Sequence, residues 1–157
     1  MKKVLVIITI LFNLVACINN NNEISIDNLL FKAGDKFEKV YEYSNNETFK
    51  VYCFSIAMFS IDNFNYVVYG EDKLVNNEIV EVIDEIYVFP AVYPKYKDLK
   101  KIKCGMEVYE LVELLGMPIS VSTGLESNPA KYMAFKVYDE FNIPITTKVL
   151  IQTNKVC

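Results

Sequence analysis

Two pairs of adjacent carboxylates have the residue types and spacing that could support chemistry. Asp84-Glu85 and Asp139-Glu140 could each act as a general acid and base, or could bind a cation through their oxygen atoms. Adjacent acidic residues are also common at solvated turns and strand ends, and we favour that interpretation for both pairs. Neither pair has the D-x-D-x-D-G spacing of a calcium loop, so the sequence predicts no metal site and no cofactor.

The hydroxyl residues are weaker candidates for catalysis. Ser120, Ser122 and Thr123 form a short polar cluster, but no G-x-S-x-G or S-x-x-K motif accompanies them. The chain contains no His, Arg or Trp, so a nucleophile here would lack the imidazole that most often serves as its base. We therefore expect a protein that is not an enzyme.

A cluster of lysines lies beside several aromatic residues in the middle of the chain. The lysines are Lys95, Lys97, Lys100, Lys101 and Lys103. They could contact anionic lipid headgroups, but we favour a solvated connector. The aromatic residues are Tyr87, Phe89, Tyr93 and Tyr96. Because rigid Tyr and Phe side chains near prolines provide contact area at interfaces, these four residues are our first choice for a partner-binding surface.

The first seventeen residues indicate export. Lys2 and Lys3 precede an uncharged run over residues 4–15, which is shorter than the roughly 20 residues of a membrane-spanning helix. The segment from Leu14 to Cys17 then resembles the lipobox of bacterial lipoproteins, in which the cysteine receives a diacylglycerol and cleavage occurs before it. The alternative is an ordinary secretory signal with an incidental cysteine, which would also lead out of the cytoplasm.

The expected lipid on Cys17 would anchor the protein to the cell envelope. Ile18 stands where many lipoproteins retained at an inner membrane have Asp. We therefore expect the outer membrane if the cell has one, and otherwise the outer face of the cell membrane. With 16 basic and 20 acidic residues, the formal net charge is −4, which argues against nucleic acid as a partner.

Three further cysteines remain in the expected exported chain. Cys53 lies in an apolar stretch and is predicted to be a small buried side chain. An odd number allows at most one intramolecular disulfide, and Cys104 and Cys157 are the better pair if one forms. Without a CxxC spacing or a His, the sequence does not favour a zinc site or a redox-active thiol.

Apolar periodicity predicts two helices with strands between and after them. Residues 35–44 place Phe37, Val40 and Tyr41 on one face, and residues 106–115 place Val108, Leu111, Val112 and Leu115 on one face. Gly116 and Pro118 should end the second helix. The β-rich runs 49–61, 66–69 and 79–88 are separated by turn residues at 62–63, 70–72 and 76–77.

The second half of the chain follows the order of the first. Gly34, Phe37 and Val40 correspond in order to Gly105, Val108 and Leu111. We therefore predict an α+β fold of two repeats, each a short helix followed by about three antiparallel strands, with the helices packed on one sheet. The predicted divisions are a signal peptide over 1–16, a lipidated tether over 17–23, a first repeat over 24–88, a connector over 89–103 and a second repeat over 104–157.

One motif resembles a known family. It consists of Ile102, Gly105-Met106, Val108, Val112, Leu115-Gly116 and Pro118. It is similar to the SmpA/OmlA group of small outer-membrane lipoproteins, also called BamE-like, and to the tandem-repeat fold of the β-lactamase inhibitory proteins. Glu107 departs from the Ser or Thr cap that is more usual at its position, and the Gly34 copy lacks the Gly-x-Pro exit.

The two resemblances imply two alternative roles. The SmpA/OmlA likeness implies a membrane-anchored, non-catalytic envelope scaffold or protein-binding subunit whose partner is another envelope protein. The likeness to the β-lactamase inhibitory proteins implies an extracytoplasmic enzyme inhibitor or ligand-binding module. We expect the first role, and a partner that proves to be a secreted hydrolase would favour the second.

Overall fold

The computed structural model describes residues 29, 31–43, 48–51, 54–122, 131–152 and 154–157. The predicted signal peptide, Cys17 and the tether lie outside these residues, as do Cys53 and Thr123. Of the residues that the structure describes, 53% lie in strands and about 18% in helices. The expected α+β fold, with two helix-plus-sheet repeats and the helices on one sheet, is therefore wrong. The described part of the chain is mostly β.

The strands form two antiparallel sheets, and within each sheet every strand pairs with its neighbour in sequence. The first sheet contains β1 Thr48–Val51, β2 Phe54–Ile61, β3 Phe64–Val75 and β4 Glu78–Pro90. The second contains β5 Ser120–Ser122, β6 Lys131–Tyr138, β7 Pro144–Gln152 and β8 Lys155–Val156. The helices are α1 Glu38–Tyr43, a 3₁₀ helix Tyr96–Lys101 in the predicted connector, and α2 Val108–Leu115.

The central part of the first sheet is buried on both faces, which explains why the two helices do not share one layer. Successive side chains of a strand point to opposite faces, and all four residues from Ile56 to Phe59 are buried. One face packs against Phe37 and Val40 of the α1 segment, which consists of α1 and the residue before it. The other face packs against α2 and the second sheet. The two helices therefore lie on opposite sides of the first sheet.

Helix α2 joins the two sheets. Its predicted apolar face is confirmed, because Val108, Leu111, Val112 and Leu115 are all buried. These side chains share one core with β2 and β3 of the first sheet and with β6 and β7 of the second. The helix ends at Gly116, whose φ of 73° and ψ of −163° strongly favour glycine and whose N–H donates to the Val112 carbonyl. No helix among the described residues is long and apolar enough to cross a membrane.

Gly70 lies inside β3, so the predicted turn over 70–72 is wrong. The strand continues to Val75, and the chain reverses at Asn76 and Asn77, whose φ values are 52° and 65°. The Phe37 ring packs so closely on Gly70 that a Cβ atom at residue 70 would lie 2.5 Å from Phe37 Cδ2. The strand pairing shifts register between Tyr69 and Gly70. A tertiary contact, not a turn, therefore requires this glycine.

Candidate functional site

The structure places the two acidic pairs in separate grooves. Asp84 and Glu85 line a groove of about 390 Å³, here called the tyrosine groove. Asp139 and Glu140 line a groove of about 610 Å³, here called the connector groove. The tyrosine groove is also lined by Tyr69, Gly70, Tyr87, Glu107, Tyr109, Asn154 and Lys155. The connector groove is also lined by Lys95, Tyr96, Lys97, Lys100 and Tyr138.

Three tyrosines from three elements form one wall of the tyrosine groove. Tyr87 of β4 stacks on Tyr109 of α2, with ring centroids 4.0 Å apart and planes 2° apart. Tyr69 of β3 stands edge-on to both rings, at 5.8 Å from Tyr87 and 6.5 Å from Tyr109. Its hydroxyl accepts a hydrogen bond from the Tyr109 backbone N–H at 3.1 Å. These contacts tie the start of α2 to the first sheet.

The charged residues of the tyrosine groove are mainly acidic. Of the described residues that line it, Asp84, Glu85 and Glu107 are acidic and Lys155 is basic. Lys155 Nζ lies 2.8 Å from Glu107 Oε1, with the lysine side chain 53% exposed. Asp84 occupies the extra position of β4 at the register shift, because Tyr69 pairs with Glu85 and Gly70 pairs with Ile83. The groove can therefore attract a cation.

The titratable groups of this groove favour hydrogen-bond donation by the tyrosines. The Tyr87 hydroxyl donates to the Glu85 carboxylate, and this bond raises the pKa of Tyr87. Burial raises the pKa of Tyr69, and burial is also the main cause of a raised pKa at Tyr109. Burial, followed by the nearby carboxylates of Glu71 and Glu85, raises the pKa of Asp84. At neutral pH the three phenols remain protonated, so they do not act as bases.

Asn154 is the unusual polar residue of the tyrosine groove. It is only 4% exposed, and its side-chain oxygen Oδ1 is buried with no hydrogen-bond donor in the described part of the chain. Its backbone is in the left-handed region with φ of 64°, and its carbonyl accepts from the Val108 N–H at 3.1 Å. An unpaired buried acceptor costs about 1–3 kcal/mol. Less than 1 Å² of this oxygen is accessible, so a ligand in the groove does not reach it.

The connector groove is built where the predicted connector meets the loop between β6 and β7. Tyr93 stacks on Tyr138 with centroids 3.9 Å apart, and the Tyr138 N–H donates to the Pro94 carbonyl at 3.0 Å. Lys95 Nζ lies 4.7 Å from the Tyr93 ring centroid and donates to Asn142 Oδ1 at 2.6 Å. These contacts hold the connector against the second sheet.

The 3₁₀ helix sets the charge of the connector groove. Side chains three residues apart eclipse in such a helix, so Lys97 and Lys100 lie on one side, and both line the groove. Lys101 lies one position further along and pairs with Asp98 at 2.8 Å. Asp98 also accepts from the Lys95 N–H, and the hydrogen bond from Lys101 is the main cause of its lowered pKa.

The four aromatic residues predicted to form one partner surface lie in two places. Tyr87 and Phe89 are partly buried against the core around α2, where both stack with Tyr109. Tyr93 and Tyr96 are 56% and 54% exposed at the connector. Proximity in sequence suggested one surface, whereas the strand β4 ends at Pro90 and directs the two pairs to different sites.

The remaining predicted residues are not gathered into a cluster. Ser120 and Ser122 lie on β5, where the Ser122 hydroxyl donates to the Tyr132 carbonyl at 3.4 Å. Cys104 and Cys157 are exposed free thiols, each next to the hydrogen bond between the Gly105 N–H and the Val156 carbonyl. Within the described ranges, no group of three or more acidic or cysteine side chains is placed to hold a metal ion.

Sequence reasoning missed three residues of the tyrosine groove and two exposed residues close in sequence to the connector groove. Tyr69, Tyr109 and Asn154 are distant from one another in sequence, and no local pattern indicates that they meet. Phe141 and Ile143, in the turn after Tyr138, were also missed, although exposed apolar residues beside an Asp-Glu pair are a weak sign of a surface site. Comparison of the chain with protein-family models, curated proteins and solved structures finds no match.

Proposed function

We propose that this chain is a lipid-anchored protein of the bacterial envelope that binds another envelope protein and does not catalyse a reaction. The N-terminal segment supports the anchor through its lipobox-like Cys17. A set of exposed aromatic and aliphatic side chains at the connector supports the binding role. This connector surface consists of Tyr93, Tyr96, Phe141 and Ile143.

The connector surface is the observation that carries the proposal. Its four side chains are large, and their exposed fractions run from 54% at Tyr96 to 74% at Phe141. The turn that presents Phe141 and Ile143 is fixed by Asp139, whose Oδ1 accepts from both of their N–H groups at 2.9 and 2.8 Å. Because this backbone is already ordered, binding a partner would cost less conformational entropy.

The charges beside the connector surface favour a particular kind of partner. The adjoining groove has a small excess of positive charge in a protein whose formal net charge is −4. Its charged lining residues are Lys95, Lys97, Lys100, Asp139 and Glu140. A partner surface with an apolar centre and an acidic rim would complement this arrangement. Binding to another envelope protein is the role implied by the resemblance to the SmpA/OmlA lipoproteins.

Photo-crosslinking in the cells that make the protein tests the binding role. A photoreactive phenylalanine at residue 141 of the full chain is expected to give one defined crosslinked product in the envelope fraction. Tyr96→Ser combined with Lys97→Glu should reduce that product about tenfold or more, because aromatic anchors near an interface centre dominate binding. The matched control is Tyr132→Ser, which alters a 44% exposed tyrosine on β6 and should leave the yield unchanged.

The anchor is tested separately by intact mass. Wild-type protein extracted from membranes should carry a diacylglycerol-sized increase over the chain beginning at residue 17, and Cys17→Ala should lack it. A second variant carries the photoreactive phenylalanine at residue 132. If it crosslinks as efficiently as the variant at residue 141, the binding role is contradicted. An unmodified and freely soluble chain would contradict the anchor and would favour the secreted inhibitor role instead.

A further inference from the structure

We propose that the tyrosine groove is a binding site for a primary ammonium group, supplied either by a free alkylamine or by a lysine side chain of another protein. The site shares no lining residue with the connector groove. It rests on side-chain geometry and does not depend on the proposed lipid anchor or on the proposed envelope partner.

Aromatic rings and carboxylates together define the charge of the ligand. Both rings of the Tyr87–Tyr109 stack line the groove, and Tyr69 stands edge-on beside them. The faces of such rings carry partial negative charge. A cation over such a face within about 6 Å is attracted by the ring quadrupole. Glu85 and Asp84 add negative charge at the same groove. A cation is therefore favoured over a neutral or anionic ligand.

The Glu85 carboxylate selects among cations. A quaternary ammonium has no N–H group, whereas a primary ammonium has three. Glu85 is exposed at the groove, and its carboxylate accepts only the Tyr87 hydroxyl among the hydrogen bonds described there. A primary ammonium can donate to this carboxylate while it lies beside the tyrosine rings.

Lys155 shows how the groove accepts an ammonium group. Its own Nζ lies 2.8 Å from Glu107 Oε1 at this groove. The lysine side chain is 53% exposed, so it can move toward solvent at little cost when a ligand ammonium enters. Lys155 therefore acts as an internal competitor, and its removal should strengthen binding of an external amine.

Titration of the full chain in uncharged detergent micelles with n-butylammonium tests the site. Tyrosine ring proton signals report binding, and we expect saturable shifts of the Tyr69, Tyr87 and Tyr109 signals. Two ligands serve as controls for shape and charge. Trimethylbutylammonium, which lacks N–H groups, should bind at least about fivefold more weakly, and the neutral n-butanol should not bind measurably.

Matched variants separate binding from folding. Tyr109→Phe keeps the ring and should change the affinity by less than about twofold, whereas Tyr109→Leu keeps apolar volume without the ring and should weaken binding about fivefold or more. Lys155→Met should strengthen binding about threefold, because it removes a competing like charge. A purely structural role for these residues does not predict a gain of affinity.

The outcomes distinguish the source of the ammonium group and can overturn the proposal. Tighter binding of Nα-acetyl-lysine amide than of n-butylammonium would indicate a lysine of a partner protein, and the reverse order would indicate a free amine. No saturable shift with either ligand, or equal binding of n-butylammonium and trimethylbutylammonium, would overturn the proposal. Tyr96→Ser should leave amine binding unchanged, so failure at this site is distinguishable from failure of the proposed envelope function.

Discussion

Replacement of Phe37 with alanine is expected to lower the free energy of unfolding by about 3–5 kcal/mol, the usual cost of removing a fully buried phenylalanine. Phe37 is 0% exposed and contributes to the core between the α1 segment and the first sheet. Its ring also packs edge-on against Tyr41, with centroids 5.4 Å apart. The variant should therefore lose apolar burial and leave a cavity beneath α1.

Urea denaturation of the chain beginning at residue 17, with Cys17→Ser, measures this effect. Phe141→Ala is the matched control, because Phe141 is 74% exposed and its truncation should change the free energy of unfolding by less than about 0.5 kcal/mol. A loss below about 1 kcal/mol for Phe37→Ala would contradict the burial of this ring against the first sheet.

The second large effect is expected at Gly70. An alanine Cβ there would lie 2.5 Å from Phe37 Cδ2 and 2.9 Å from Phe37 Cε2, so the ring or the strand must shift. Overpacking of this kind costs about 1–3 kcal/mol, and we expect Gly70→Ala to fall at the upper end of that range because the neighbouring atoms belong to a buried ring. Urea denaturation should record the loss.

A double-mutant cycle identifies the cause of the Gly70 effect. Phe37→Leu removes the ring atoms that meet the new Cβ, so Gly70→Ala should cost at least about 1 kcal/mol less in the Phe37→Leu background. Gly105→Ala is the control, since a Cβ at residue 105 meets no atom within 4 Å and its cost comes from a φ of +90°. That cost should be the same in both backgrounds. An additive cycle at Gly70 would show that the strand itself, not Phe37, requires the glycine.

Changes at Phe37 and Gly70 should affect the tyrosine groove as well as the stability of the fold. Gly70 lines the tyrosine groove, and Phe37 packs against it from the opposite face of the first sheet. The register shift beside Gly70 places Asp84 at the same groove. Variants that move β3 should therefore also weaken amine binding, whereas Phe141→Ala should not.

Features that depend on neighbouring residues could be predicted from the sequence. The apolar spacing of Val108, Leu111, Val112 and Leu115 identified the buried face of α2, and Gly116 marked its end. The Asn76-Asn77 pair identified a hairpin turn, since Asn tolerates the left-handed backbone found there. The absence of His and Arg also argued against most hydrolytic sites, which use these side chains. The lipidation of Cys17 and the envelope location remain predictions from the sequence.

The fold class and the grooves depend on contacts between distant segments, which local sequence patterns do not reveal. Gly70 resembled a turn residue, but the Phe37 ring holds it inside a long strand. The helical periods near Phe37 and Val108 suggested one helical layer, whereas burial of the first sheet on both faces separates them. The rings of Tyr69, Tyr87 and Tyr109 meet although their residues are far apart in the chain. Periodicity and turn residues report local backbone preference, while the choice of which faces pack together depends on burial between distant segments.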